Sequence, residues 1–460
     1  MNNDLPARHG RTLQSAIIHL SDIECGLQNR AEVNAVVDGY NKCAISFIKD
    51  VQAELIHKRR LSPEQIGLVI TGDISHGGTV EEFEKAAMLV RFICDSLKIP
   101  RRQVAIVPGN HDVCWDDCRK AFQTKFPNSQ LTDTIARQNA RTFPEKLSNF
   151  SKFLSDLCDI SFDKPESVLA FDGFTRLGIA LIGFDTTFPC TFCPEDNFGE
   201  LRDDSILKAG KNKLEYMLAK NRALIPIAIA HHCPDPLADQ NQDGSYLRNA
   251  TQAVKWLQRV GLLTMLCGHE HQARSTLNLR TGNTVFVTGS FGLNVEGLLK
   301  RYGGQTVLES NKYQILLIYP GEESQMLFRR LRNAGDPESD WEKDGNGEYS
   351  SNIFFRFLRR SPSGIKDDSL IGQINPWVTK PVPAGNRWFI AVGVQIPSQL
   401  LAWIQSVSYT IDGRVFNSMD SANEFSIEAP ISQLDSSIDI KIAIENAESI
   451  ALGVSIPRLK

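Results

Sequence analysis

Five short apolar runs in this chain each end abruptly in polar, titratable residues. The run Val104 to Val107 meets Pro108 and then Gly109-Asn110-His111-Asp112-Val113. The run Ala16 to Leu20 leads into Ser21-Asp22-Ile23-Glu24, and Ile66 to Thr71 leads into Gly72-Asp73-Ile74-Ser75. Ile225 to Ala230 ends in His231-His232-Cys233-Pro234, and Leu262 to Cys267 in Gly268-His269-Glu270-His271. Burying such groups without partners costs roughly 1–3 kcal/mol each, so a plain core does not tolerate them. An open α/β sheet does, because its ligands bind beyond the carboxyl ends of the strands. Six of the nine histidines fall in these runs, counting His19.

The spacing between the runs sets the fold class. Val33, Val36, Val37, Tyr40, Ala44, Ile45, Phe47, Ile48, Val51 and Leu55 share one helical face after the first strand. Val80 to Leu97 is a second amphipathic helix, between the second and third strands. This β-α-β-α-β alternation predicts a mostly parallel sheet covered by helices. Further strands are predicted at Gly178 to Phe184, Thr284 to Thr288, near Tyr313 to Tyr319 and near Gln325 to Leu331. The polar, helix-patterned stretch from about 113 to 177 reads as an insertion over the mouth of the sheet. At 460 residues more than one core is expected. The first domain is placed at 1–335. A Gly-, Asp-, Glu- and Asn-rich stretch makes 336–365 a linker or long loop. Residues 366–460 lose the helical period and read as a small all-β sandwich, with strands at Trp388 to Ile396, Ile404 to Ile411, Glu424 to Ile427 and Ile438 to Ile444.

Composition narrows the setting. A net charge of −4 supplies no global attraction to nucleic acid or anionic lipid, although a local basic groove stays open. No run of about 18 apolar residues is present, so no membrane-spanning helix is expected. The polar start, Met1 to Ser15, lacks an apolar signal core, and a cytoplasmic location is expected. The ten cysteines are scattered, and the lone C-x-x-C of Cys190 and Cys193 has no second pair to complete a zinc site.

Asp, Asn and His together are donors suited to Mn, Fe or Zn rather than calcium. Two ions about 3.5–4 Å apart require a bridging ligand, and a carboxylate on a Gly-Asp turn can bridge. The ordered set of Asp22, Gly72-Asp73, Gly109-Asn110-His111-Asp112, His231-His232 and Gly268-His269-x-His271 resembles the calcineurin-like metallophosphoesterase superfamily over roughly residues 15–330. The resemblance implies an αββα sandwich of two mixed sheets flanked by helices. It also implies hydrolysis of a phosphate ester by attack of a metal-bound hydroxide. Carried over by motif, Asp22 and His271 bind the first ion, and Asp73 bridges. Asn110, His231 and His269 bind the second. His111 contacts the phosphate and protonates the leaving oxygen, with Asp112 orienting it.

One position departs from the pattern. The family usually has His two residues after the first Asp, and this chain has Glu24. Either Glu24 ligates, making the first ion a weaker Lewis acid and favouring Mn, or it does not and that position is weak. His232 is expected on the substrate side or supporting the metal-binding residues from behind rather than as a ligand, and His76 at the mouth or in a solvated loop. His19 is expected as a satisfied buried residue, and Trp115 as a packing residue. The arginines at 329–330, 332 and 359–360 are expected as edge-strand or linker charges. The reading is a phosphodiesterase with two divalent ions, Mn favoured, acting on a nucleotide or nucleic acid. A phosphomonoesterase or protein phosphatase is the alternative. A binding protein with a degenerate metal site is the other, its C-terminal β domain recruiting a protein or ligand in the manner of small recognition sandwiches such as YEATS-like domains.

Overall fold

A computed structural model describes residues 13–26, 43–130, 138–158, 160, 162, 168–193, 198–201, 204–221, 223–234, 247–262, 264–271, 273–277, 284–292, 299–302, 305–308, 311–319, 324–333 and 339–351. In the C-terminal region it describes 375–378, 382–384, 387–395, 404–411, 414–418, 427–431, 437–444 and 450–455. Two compact units result, one from residues 1–254, 263–276 and 284–355, the other from 255–262, 277–283 and 356–460. The first therefore runs some way past the expected boundary at 335.

The first unit holds two mixed six-stranded sheets. Its strands are β1 (Ser15–Leu20), β2 (Ile66–Thr71), β3 (Val104–Val107), β4 (Val168–Ala170), β5 (Ile179–Phe184), β6 (Ile225–Ile229) and β7 (Thr264–Cys267). Next come β8 (Arg274–Leu277), β9 (Thr284–Val287), the hairpin β10 (Leu299–Tyr302) and β11 (Gln305–Leu308), β12 (Lys312–Ile318), β13 (Ser324–Leu331) and β14 (Trp341–Ser351). One sheet runs β14-β13-β12-β1-β2-β3, with β1, β2 and β3 parallel and the rest antiparallel. The other runs β4-β5-β6-β7-β9-β8, with β5, β6, β7 and β9 parallel. Strands β1, β2, β3 and β5 are buried along their whole length, as continuous Val, Ile and Leu runs require in a covered parallel sheet.

Helices cover the sheets. Residues 43–51 form α1, which continues as the π-helical turn Gln52–His57. The expected start of this helix, Val33 to Tyr40, lies outside the described residues. Helix α2 (Val80–Leu97) begins in a capping box. The Thr79 hydroxyl accepts from Glu82 N at 3.3 Å and the Glu82 carboxylate from Thr79 N at 3.1 Å, satisfying two otherwise orphaned donors. It buries Phe83, Ala86, Leu89, Val90, Ile93 and Leu97. Helix α3 spans Trp115–Lys125, α4 spans Ser148–Cys158, and α5 (Asp204–Lys220) lies against β4 and β5.

Two expectations need correction. The stretch 113–177 is not wholly an insertion. Cys118 and Phe122 of α3 do form a separate small cluster with Ala140, Phe143 and Phe192. From Leu147 onward the chain joins the main core, where Phe150 and Phe153 of α4 pack on Phe83 with ring centroids 6.0 and 5.1 Å apart. The predicted linker at 336–365 contains β14, an 11-residue strand. Its loop-like composition is explained by its place at the sheet edge, where charges face water. There Glu342 pairs with Arg330 at 2.8 Å and with Arg332 at 3.3 Å. Arg329 instead turns inward onto Asp50, with Nε 2.8 Å from its carboxylate.

The second unit contains β15 (Asn375–Val378), β16 (Val382–Ala384), β17 (Arg387–Gln395), β18 (Ile404–Ile411), β19 (Arg414–Ser418), β20 (Ile427–Ile431), β21 (Ser437–Ile444) and β22 (Ile450–Ser455). They form two four-stranded antiparallel sheets. Val407, Tyr409 and Ile411 alternate into the interior opposite Ile438 and Ile440, the period-2 pattern of a half-buried strand. Of the strand expected at Glu424 to Ile427, residues 424–426 lie outside the described residues.

Candidate metal centre

The loops after β1 and β2 stay paired beyond the strands. Asp22 N donates to Gly72 O at 3.0 Å, Glu24 N to Asp73 O at 2.9 Å and Cys25 N to Ile74 O at 2.8 Å. Their backbone is left-handed where the donor side chains stand. Asp22 has φ 52°, Glu24 52°, Asp73 50°, His269 69° and His271 56°. Among the described non-glycine residues only Arg60 and Lys98 share that sign, and Lys98 caps α2. Such residues cost about 1–3 kcal/mol each and collect where function holds them. Room for the crossing loops comes from glycine. A Cβ on Gly72 would lie 2.6 Å from Gly109 N and 2.7 Å from His231 Nδ1.

His231 is the hub of one half of the site. Its Nδ1 donates to Thr71 O at 2.7 Å, so Nε2 faces the cavity. That nitrogen lies 3.1 Å from Asp73 Oδ2, 3.1 Å from Asn110 Oδ1 and 3.0 Å from His269 Nδ1. Four donor atoms thus crowd one point, with at most one proton on Nε2 to share. Burial disfavours the imidazolium, yet Asp73 beside it raises the His231 pKa to about 9. The arrangement asks for a positive charge, and the imidazolium supplies it when no ion does. His269, by contrast, is pushed by burial to about 3 and stays neutral, the form in which imidazole ligates.

The other half gathers Asp22, Glu24, Asp73 and His271. His271 Nε2 is 3.3 Å from Asp22 Oδ1 and 3.6 Å from Glu24 Oε1. Asp22 Oδ2 accepts from His269 N at 3.1 Å, which ties the two sheets together at the rim. Ser290 Oγ and Gly292 N both donate to Asp22 O, at 2.8 and 2.9 Å, so the Gly289–Gly292 turn fixes its backbone. Asp73 belongs to both halves, since its carboxylate shares one group with Asp22 and His231 and another with Glu24 and His111, each within 4.8 Å. The donors and their burial fit divalent cations.

His111 stands at the edge, half-buried. Its Nδ1 donates to His76 O at 2.9 Å and its N–H to Asp73 Oδ1 at 2.8 Å. The His76 ring stacks on it at 5.0 Å, and Trp115 lies 5.8 Å away. Burial lowers the His111 pKa, but Asp73 and Glu24 outweigh it and raise it overall.

One expected role changes and another narrows. Asp112 does not bond the His111 ring, whose Nδ1 is held by the His76 carbonyl. The Asp112 carboxylate instead accepts from the N–H groups of Ile74, Ser75 and Gly109 and from Ser75 Oγ, stapling the β2 and β3 loops together. His232 is fully buried, which fits the supporting position of the two expected for it and not the substrate side. Its Nδ1 pairs with Thr186 Oγ1 at 2.8 Å, which turns the ring inward behind His231 and His269. Thr186 was not singled out by sequence, although Asp185-Thr186-Thr187 follows β5 by the same strand-end rule. His76 does lie beside the site, and His19 is satisfied by Thr71 at 2.9 Å and Gln314 at 3.2 Å.

Two mixed sheets with this carboxylate, amide and imidazole cage at their common rim define the class. The chain belongs to the calcineurin-like phosphoesterase family, whose sequence pattern matches residues 16–273. It is 28% identical over 128 residues to YydB of Bacillus subtilis (strain 168), an uncharacterized metallophosphoesterase-like protein. That match takes in 27% of this chain and 26% of YydB, so the chain spans about a quarter of that relative. Among solved structures it is similar to TT1561 of Thermus thermophilus, at 10% identity and a TM-score of 0.31, over 67% of this chain and 98% of that one. For Vps29 of Chaetomium thermophilum the values are 7% and 0.28, over 74% and 98%. No helix among the described residues is long and apolar enough to cross a membrane.

Proposed function

We propose that this protein hydrolyses phosphodiesters with two divalent ions. Asp22, Glu24 and His271 would hold one, Asn110, His231 and His269 the other, and Asp73 both. Ions bound there neutralise phosphoryl charge and acidify water, Mn being favoured by the carboxylate-rich half. The observation that carries the reading is His231 Nε2, within 3.1 Å of three further donor atoms.

The protein's own groups account for the rest of the chemistry. His111, held through Nδ1 by the His76 carbonyl, offers Nε2 to the departing oxygen. Asp73 and Glu24 favour its protonated form, the one a general acid needs. Charge supports a diester. The family's usual His at position 24 would leave two carboxylates, and this chain has three. Two divalent ions then retain one positive charge less than with that His, which favours the monoanion of a diester over the dianion of a monoester. Nucleotides or nucleic acid strands are the natural members of that class.

The test is hydrolysis of bis(4-nitrophenyl) phosphate against 4-nitrophenyl phosphate by manganese-loaded protein. Turnover of the diester exceeding that of the monoester is expected, with Asp73→Asn abolishing both. Manganese-loaded protein that cleaves neither ester refutes the reading.

A further inference from the structure

We propose that the outer face of helix α2 is a self-association surface: two copies of this chain pack their α2 helices antiparallel about a two-fold axis between Ala87 and Met88.

The inner face of α2 is occupied by Phe83, Ala86, Leu89, Val90, Ile93 and Leu97, all buried. The opposite face of such a helix ordinarily carries polar residues. Here it does not. Six large apolar side chains are exposed among the described residues, and three of them stand on this one helix: Val80 at 42%, Met88 at 55% and Phe92 at 38%. Val80, Glu84, Met88 and Phe92 follow one another at intervals of four, so they form a single ridge. Beside the ridge lies a groove of about 630 Å³ between α2 and α4, lined in part by Phe83, Ala87 and Phe153. A ridge and a groove on the same surface are what a two-fold contact needs, because each copy's ridge enters the other's groove.

Charge selects the occupant and the register. The groove carries both signs, with Glu81, Glu84 and Asp156 set against Lys85, Arg91 and Lys152. That balance gives no pull toward a polyanion or an anionic lipid surface, and it suits a partner bearing the same balanced set. Glu84, Ala87, Met88 and Arg91 stand at i, i+3, i+4 and i+7, on one face of the helix. Glu84 and Arg91 take part in none of the ion pairs among the described residues. An axis between Ala87 and Met88 sets Glu84 of each copy opposite Arg91 of the other, twice over, with Met88 against Ala87 between the two pairs. An axis through Met88 itself would instead set Lys85 against Arg91 and Glu81 against Asp95, like charges both times.

The experiment is sedimentation equilibrium on the full chain, from low micromolar to several hundred micromolar. A monomer–dimer equilibrium is expected, a weak one because a contact of this kind is at the small end of specific interfaces. Met88→Asp, at a position more than half exposed, should raise the dissociation constant at least about tenfold. Glu84→Arg alone and Arg91→Glu alone should each do the same, since two attractive pairs become two repulsive ones. Glu84→Arg combined with Arg91→Glu should restore the parent's constant, which requires a partner with the same two residues in antiparallel register. A chain that stays monomeric throughout overturns the proposal and leaves the face to a different partner. So does a dimer indifferent to Met88→Asp, or one that the combined variant fails to restore.

Discussion

Replacing Asp112 by alanine removes the common acceptor of two functional loops. Its Oδ1 accepts from Ile74 N at 3.0 Å, Ser75 N at 2.9 Å and Ser75 Oγ at 2.9 Å, and its Oδ2 from Gly109 N at 2.9 Å. The Ser75 hydroxyl keeps His111 O at 3.2 Å as a second partner. The three amides keep none of equal quality. Each buried donor stranded in this way costs about 1–3 kcal/mol. Water entering the vacated space recovers part, leaving a net loss of about 3–5 kcal/mol. Asp112→Asn retains one oxygen for the Ile74 and Ser75 donors and sets an amine against Gly109 N, so it loses nearer 1–3 kcal/mol. Hydrogen exchange measured on peptides covering 72–76 and 107–113 reads this directly. At about 1.4 kcal/mol per factor of ten, these amides should exchange at least about a hundredfold faster in Asp112→Ala, with Asp112→Asn between it and the parent. Protection unchanged in the alanine variant refutes the staple.

Other outcomes follow from the same geometry. Gly72→Ala forces a Cβ onto a residue with φ 83°, 2.7 Å from His231 Nδ1, and should lower the melting temperature and weaken manganese binding together. His19 is lowered by burial to about 4, so its neutral form supports the fold fully above pH 6.5 and loses up to about 3 kcal/mol as pH falls through 4. Melting curves between pH 4 and 7 should therefore slope less steeply in His19→Asn than in the parent. Lys146 is fully buried and donates to Thr187 O at 2.8 Å and Phe188 O at 2.9 Å. Lys146→Met should cost about 2–4 kcal/mol and speed limited proteolysis near 188–193.

Strands β2 and β3 and helix α2 were readable to the residue, because unbroken Val and Ile runs and the 3.6-residue period each have one physical interpretation. The meeting of the strand ends was equally readable, since Asp22, Asp73, Asn110, His231, His269 and His271 do come together. What failed was direction. Asp112 neighbours His111 in sequence, but in the tight turn Asn110–Asp112 its side chain points to the backbone of the β2 loop rather than to the ring. His232 follows His231, and only the distant Thr186 hydroxyl decides which way its ring faces. Strand β14 was hidden by Gly345, Asn346 and Gly347, which lie where its pairing with β13 shifts register, at the edge of the sheet.

The bent backbone at residues 22, 24, 73, 269 and 271 ties chemistry to shape in an unusual way. Valine, isoleucine or threonine placed there would be penalised for its branched carbon even if no ion were ever bound. Any relative relieved of the need for these side chains would thus drift first toward asparagine or glycine at those five places. Such a footprint would outlast whatever role first set the five bends.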